Sequence, residues 1–472
     1  MRLINVHTLE FGEFFEIEAP PYAILSHRWS TDEITYKDFL KGRNHNSEGF
    51  RKVSEFCAFI RDFCFCDDSE DDPQPVDWAW VDTCCIDKKS SAELSETINA
   101  MYRYYQEAHL CVVYLVDLEC REGEDARDSL QQCSWFWRGW TLQELIAPPA
   151  LMFCDPHWSV YGTMKDTSTM DDAILQRFPL IRSVGDLLAD VSAITKIPQA
   201  CLTGNKRHEA YTIAQRMSWA AHRSTTRTED EAYCLLGIFE VNMPLIYGEG
   251  LRAFERLQEE IIKRTTDQSI LAWTNPPTSS FLLAPRPRCF TDCGEVDLFP
   301  TLDASLWNMT NLGLEMHSDL LQPRDRTSNP HEYLLRLNCT RPNASGGRHR
   351  VLISLVPHLT VAEQQTLQLV KVATDVMYAR AFDVVITGSP SGALQHTLGL
   401  GGCCVVTVYK RADGKRNQTM ADKEVIESSA FDYNPATDFR YVTQKECDRA
   451  RSRRCRSEYA LGDVHAKIQA RM

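Results

Sequence analysis

Apolar positions in the first 155 residues alternate between two rhythms, short solid runs and stripes at helical spacing. "PYAILSHRW" (21–29) is a solid run that opens onto polar residues, the pattern of a buried strand feeding a loop. Residues 50–65 then set Phe50, Val53, Phe56, Phe59, Ile60 and Phe63 on one helical stripe. The acidic run "DDSEDDPQP" (67–75) reads as a solvated loop. "DWAWVDTCCID" (77–87) predicts the second strand. Ser90 with Glu93 gives an S-x-x-E capping signal for a helix that carries Leu94, Ile98, Met101, Tyr102 and Tyr105. "HLCVVYLVDL" (109–118) predicts the third strand and "GEDARDSLQQ" a loop. "RGWTLQELIAPP" (138–149) predicts a short helix stopped by two prolines, and "ALMFCD" (150–155) the fourth strand. This alternation predicts a parallel sheet covered by helices on both faces.

Beyond residue 155 the pattern changes. Residues 156–270 read as mostly helical, with Thr228 and Glu231 repeating the capping signal and Phe254, Leu257 and Ile261 marking an amphipathic helix. "LAWTNPPTSSFLLAPRPR" (271–288) is a Pro-rich break, and the short runs "YLLRLNC", "RVLISLV", "DVVITG" and "CCVVTVY" after it predict strands. The expected layout is an α/β core at 1–155, a helical extension at 156–275, a connector at 276–288, a β-rich domain at 289–445 and a basic tail at 446–472.

A chain of 472 residues has room for two or three domains, and its net charge of −14 argues against nucleic acid as a global partner. None of the 18 cysteines forms a C-x-x-C pair, and the histidines lack metal-ligand spacing, so no metal is expected. The start carries no signal-peptide pattern and no stretch is apolar for 18 residues, which predicts a cytoplasmic protein with reduced thiols and no membrane span. No G-x-x-x-x-G-K-[ST] occurs.

In an open α/β sheet the ligand crevice lies at the carboxyl ends of the strands. "SHRW" (26–29), "DTCCID" (82–87) and the "GWTLQEL" helix (139–145) should converge there. Glu144 has two readings. Thr141 and Glu144 match T-x-x-E, a capping box. Alternatively the carboxylate, one turn after Trp140, stabilises an oxocarbenium-like ribose as an N-glycosidic bond breaks. Arg28 either clamps a phosphate or makes a surface ion pair. Trp29 stacks on a base or closes the strand end, and Asp82 meets a ribose hydroxyl or caps a turn. Ser26 and His27 point to opposite strand faces and so do not pair as nucleophile and base. Cys84 and Cys85 raise a thiol chemistry that no Cys–His arrangement supports.

"YAILSHRW", "WAWVDTCCIDKKSSAELSETINAMYRYYQEAHLCVVYLVDL", "SWFWRGWTLQELIAPP" and "DEAYCLLGIFEVNMPLIYGEGLRAFERLQEEI" together resemble the fungal heterokaryon-incompatibility (HET) domain, in its HET-D/HET-E form, over about residues 1–275. HET domains are similar to TIR domains, which implies a flavodoxin-like sheet. "WTLQEL" (140–145) matches the TIR pattern W-C-L-x-E-L with Thr141 in place of Cys. The resemblance makes Glu144 the catalytic acid of NAD+ cleavage. It places Ser26, Arg28, Trp29, Asp82 and Trp140 around the substrate, with NAD+ as substrate rather than cofactor. It implies a role in regulated cell death on non-self recognition, with self-association and a NACHT-type receptor or another incompatibility protein as partners. The alternative within the family is a non-catalytic adaptor that oligomerises on a receptor.

Overall fold

The computed structural model describes residues 1–299 except 16–17, 63–75, 120–125, 165–185 and 275–282, and after 299 only the strands of a second sheet. The chain divides into two units. One comprises Met1–Tyr211 with Trp219–Leu257, the other Thr212–Ser218 with Gln258–Met472.

The first unit is built on a seven-stranded sheet. Its strands are β1 (Arg2–Asn5), β2 (Phe11–Glu13), β3 (Tyr22–His27), β4 (Trp78–Trp80), β5 (Leu110–Tyr114), β6 (Leu151–Cys154) and β7 (Val160–Met164). The order is β2-β1-β4-β3-β5-β6-β7. The pairs β4–β3, β3–β5 and β5–β6 are parallel, whereas β1, β2 and β7 pair antiparallel. The parallel core confirms the α/β class. Every residue of β3 is buried, as a central strand covered on both sides requires. The chain leaves β3 for β4 on one side and then returns to β5 on the other. The point where that order reverses, at the carboxyl ends of β3 and β5, is the crevice of a doubly wound sheet.

Five helices of this unit concern the site: α1 (Tyr36–Leu40), α2 (Glu48–Asp62), α3 (Ser91–Glu107), α4 (Ala126–Gln132) and α5 (Thr141–Ile146). Ser90 caps α3 as its S-x-x-E spacing predicts, accepting from the Glu93 amide, while Glu93 Oε1 takes the Asp87 amide at 2.8 Å. α2 begins where the amides of Glu48 and Gly49 bond Asp32. A Cβ on Gly49 would meet the Ile34 amide nitrogen at 2.4 Å and the Asp32 carbonyl at 2.6 Å. Gly49→Ala must therefore push the 32–34 loop, and Glu33 with it, off α2. We expect a loss of about 1–3 kcal/mol, read as a fall in thermal midpoint; an unchanged midpoint would contradict the contact.

Some local expectations fail for identifiable reasons. The second strand stops at Trp80, because the amides of Cys84 and Cys85 turn back onto the Val81 carbonyl. Its apolar run is a buried turn, which composition does not separate from a strand. "GEDARDSLQQ" contains α4 rather than only loop. Thr228 with Glu231 is no capping box: the helix Asp230–Tyr233 starts after Glu229, without a side-chain cap. The hairpin strand β7 falls in a stretch expected to be helical.

In the second unit, strands such as Tyr333–Pro342, Arg348–Leu359 and Cys403–Tyr409 belong to an antiparallel sheet. The basic tail at 446–472 lies outside the described residues. Among the described residues, no helix is long and apolar enough to cross a membrane.

Candidate functional site

β3 delivers two polar side chains to the crevice on opposite faces, Ser26 and His27, as strand alternation requires. On one face the Ser26 hydroxyl donates to Glu144 Oε2 at 2.5 Å and accepts from the Trp135 indole N–H at 2.8 Å. Ser26, Trp135 and Glu144 are all buried. The Tyr105 hydroxyl, 3.4 Å from the Leu25 carbonyl, also borders the carboxyl.

Burial pushes the Glu144 carboxyl up to about 8, reinforced by the charge of Asp82 and opposed by the Ser26 and Tyr105 hydroxyls and the Arg223 guanidinium. Glu144 is therefore mostly neutral at pH 7 in this closed state. Arg223 is half-buried, donating to Thr141 Oγ1 at 2.9 Å and to the Arg138 carbonyl at 3.0 Å.

These bonds decide between the two readings of the T-x-x-E spacing. Trp140, not Thr141, precedes the first turn of α5, and it makes no side-chain cap. Thr141 Oγ1 donates to the carbonyls of Trp135 and Arg138, and the Glu144 carboxyl reaches across to β3. Glu144 is not the return arm of a capping box.

Ser26→Ala would strand the Trp135 N–H and one Glu144 oxygen in a buried site. We expect a loss of about 1–3 kcal/mol in chemical unfolding. The Glu144 titration should also move to higher pH, because the Ser26 bond holds it down. A titration left in place would show that the bond carries no weight.

On the other face His27 Nε2 lies 3.6 Å from Glu33 Oε2 and 4.0 Å from Asp82 Oδ1, both beyond a hydrogen bond. Glu33 Oε1 takes the buried Lys52 ammonium at 2.5 Å and the Ser30 amide at 2.7 Å. Burial pushes the Glu33 carboxyl up, but His27 and Lys52 outweigh it and hold it at about 2. Asp82 Oδ2 takes the Trp29 indole N–H at 2.7 Å, and the Lys88 ammonium stands 3.3 Å over the Trp29 ring.

Of the residues expected from the sequence, Ser26, Trp29, Asp82 and Glu144 gather at the ends of β3 and β4. Arg28 is exposed beside them and donates to Ser134 Oγ at 3.2 Å. The Trp140 side chain bonds Asp230, and the indole that hydrogen-bonds Ser26 beside Glu144 is that of Trp135. The pattern also did not single out Tyr105, Arg223, Glu33 or Lys52. Only the three tryptophans of "SWFWRGW" hinted that an indole other than Trp140 was in reach.

Cys84 is wholly buried and its thiol is pushed well up, which removes the thiolate that cysteine hydrolysis needs. The group among the described residues with spacing suited to a cation is His208, Glu209 and Glu240, whose ligand atoms lie within 4.8 Å of one another. Arg207 already clamps Glu209 there, at 2.7 and 3.2 Å. A cavity of about 350 Å³ lined by Gln131, Trp137, Ala193, Ile194, Lys196 and His222 lies apart from the crevice residues.

Residues 22–132 match the family model described as "Heterokaryon incompatibility protein (HET)". Residues 252–288 match a "Domain of unknown function (DUF8212)". The first match includes Ser26, Arg28, Trp29 and Asp82 and ends before Trp135 and Glu144. "Vegetative incompatibility protein HET-E-1" of Podospora anserina is 40% identical over 265 residues, covering 54% of this chain and 17% of that protein. The chain thus spans about a sixth of the length of this curated relative. No solved structure matches.

Proposed function

We propose, from the premise that this chain carries a fungal HET domain, that it acts in vegetative incompatibility, killing the cell by cleaving NAD+ at the Glu144 crevice. The observation that carries this reading is the Glu144 carboxyl itself. It is buried at the switch point of the sheet, hydrogen-bonded by Ser26, with a pKa of about 8. Catalytic acids are tuned toward working pH by burial in this way.

The chemistry follows from the charges. Nicotinamide in NAD+ is cationic, so its arrival beside Glu144 favours the carboxylate and expels the proton. The nicotinamide–ribose bond breaks with its electron pair going to nicotinamide, and the carboxylate steadies the oxocarbenium-like ribose. Water adds to the anomeric carbon and loses a proton, giving ADP-ribose, nicotinamide and H+. Arg28 would pair with the pyrophosphate. Glu144 is buried, so the substrate enters only as the crevice opens. Self-association of a TIR-like module would supply that opening, and cleavage should rise more steeply than linearly with protein concentration.

One observation favours a second reading, a non-catalytic death adaptor that oligomerises on a NACHT-type receptor or other incompatibility protein. The Glu144 carboxyl is buried and already bonded, as a purely structural group would be. Expression in fungal cells separates the two. Cleavage predicts that NAD+ falls before viability does and that Glu144→Gln stops both. Death that persists in a folded Glu144→Gln protein, with NAD+ intact, would select the adaptor.

A further inference from the structure

The His27 face of the crevice has a feature that the Glu144 reaction does not use. Glu33 and Asp82 each commit one carboxylate oxygen to the protein, Glu33 Oε1 to Lys52 and Ser30, and Asp82 Oδ2 to Trp29. The other oxygen of each, Glu33 Oε2 and Asp82 Oδ1, is buried without a hydrogen-bond partner. Both stand near one imidazole nitrogen, His27 Nε2, at 3.6 and 4.0 Å. The His27 side chain is 1% exposed, and neither of its nitrogens is hydrogen-bonded. The neighbouring Thr83 hydroxyl is likewise buried and unbonded.

Buried polar atoms of this kind cost stability unless something bonds them. The two gaps are too long for direct bonds, and a hydroxyl oxygen lying beside the wider one, about 2.8 Å from both His27 Nε2 and Asp82 Oδ1, would bond both at an angle of about 90°. A hydroxyl between His27 Nε2 and Asp82 Oδ1 would accept from one and donate to the other, and an adjacent hydroxyl would reach Glu33 Oε2. The two carboxylates already face the Lys52 and Lys88 ammonium groups, so the cradle suits a neutral polyol better than a further ion.

We propose that His27, Glu33 and Asp82 form a subsite for a vicinal diol, the ribose whose anomeric carbon faces Glu144, entered from beneath the half-exposed Trp29. This rests on the reading of the Glu144 crevice as a nucleotide site and extends it to sugar recognition. The Asp82 charge is felt at Glu144, which couples the two sites electrostatically.

The test uses the full chain carrying Glu144→Gln, which binds without turnover, alone and with Asp82→Asn. The Asn side chain keeps an acceptor for the Trp29 N–H and loses the free carboxylate oxygen. Calorimetric titration with ADP-ribose should show at least about tenfold weaker binding by the double variant, the effect of losing a hydrogen bond to a charged group. Ribose 5-phosphate should bind the Glu144→Gln chain at least about tenfold more tightly than 2-deoxyribose 5-phosphate, and Asp82→Asn should narrow that preference.

Equal affinities for the two sugar phosphates, no loss on Asp82→Asn, or no binding of ADP-ribose would overturn the subsite. Nicotinamide release by the chain with Glu144 intact is measured beside it. Diol-dependent binding without release sinks the glycohydrolase reading and keeps the subsite. Release that Asp82→Asn leaves unchanged in KM keeps the glycohydrolase and sinks the subsite.

Discussion

Glu144→Gln is expected to remove most of the alkaline loss of stability of this protein. Its carboxyl titrates near 8 in the folded chain and near 4.5 when free, so the folded state holds the proton more tightly. Between those values the folded chain binds more protons than the unfolded one. The stability that neutral Glu144 provides is thus complete below pH 4.5 and is lost as pH rises through about 8. The total is at most about 5 kcal/mol. Glutamine keeps the shape of the neutral acid, accepts the Ser26 hydroxyl and never ionises. Unfolding free energies from pH 5 to 8.5 should therefore fall with pH in the wild type and run nearly flat, for this group, in the variant. Parallel profiles would mean that water reaches Glu144 and that the buried acid is not what the geometry describes.

Glu33→Gln should have the opposite sign and a comparable size. The Lys52 ammonium is buried and held by Glu33 Oε1 at 2.5 Å. Removing the carboxylate leaves that charge without its partner, which costs about 3–5 kcal/mol at neutral pH. Glu33 is held at about 2, below its free value of 4.5. Its contribution is therefore present above pH 4.5 and lost as pH falls through about 2. Acid unfolding should show this fall in the wild type and lack it in the variant. A double variant, Glu33→Gln with Lys52→Met, should regain much of the loss at pH 7, since the stranded charge is gone. Failure to regain it would show that Glu33 stabilises through the 32–34 loop rather than through Lys52.

What the sequence disclosed follows from what is local. β3 and β5 were legible because a central strand buried on both faces writes itself as an unbroken apolar run. The α3 cap was legible because Ser90 and Glu93 are three residues apart. The antiparallel strands β1, β2 and β7 were not: they are three to five residues long and gain their meaning from pairing. The same divide runs through the site. The motif marked Glu144, but cap and site look alike until Ser26, 118 residues earlier, is seen to bond it. Trp140 was expected to line Glu144 by helical spacing and has helical dihedrals, but its side chain bonds Asp230, far along the chain, which spacing within one helix does not register. The His27–Glu33–Asp82 cradle assembles from a strand end, a loop and a turn, and no spacing rule spans those.

If Glu144 cleaves the nicotinamide–ribose bond, the purified protein releases nicotinamide from NAD+. The purified full chain is assayed across protein concentration, with and without a crowding agent, from pH 6 to 9, beside Glu144→Gln. Release should climb steeply with concentration, kcat/KM should rise with pH through about 8 as Glu144 ionises, and the folded variant should lose at least about a thousandfold. No release from folded, self-associated wild type, or equal release from the variant, would contradict it.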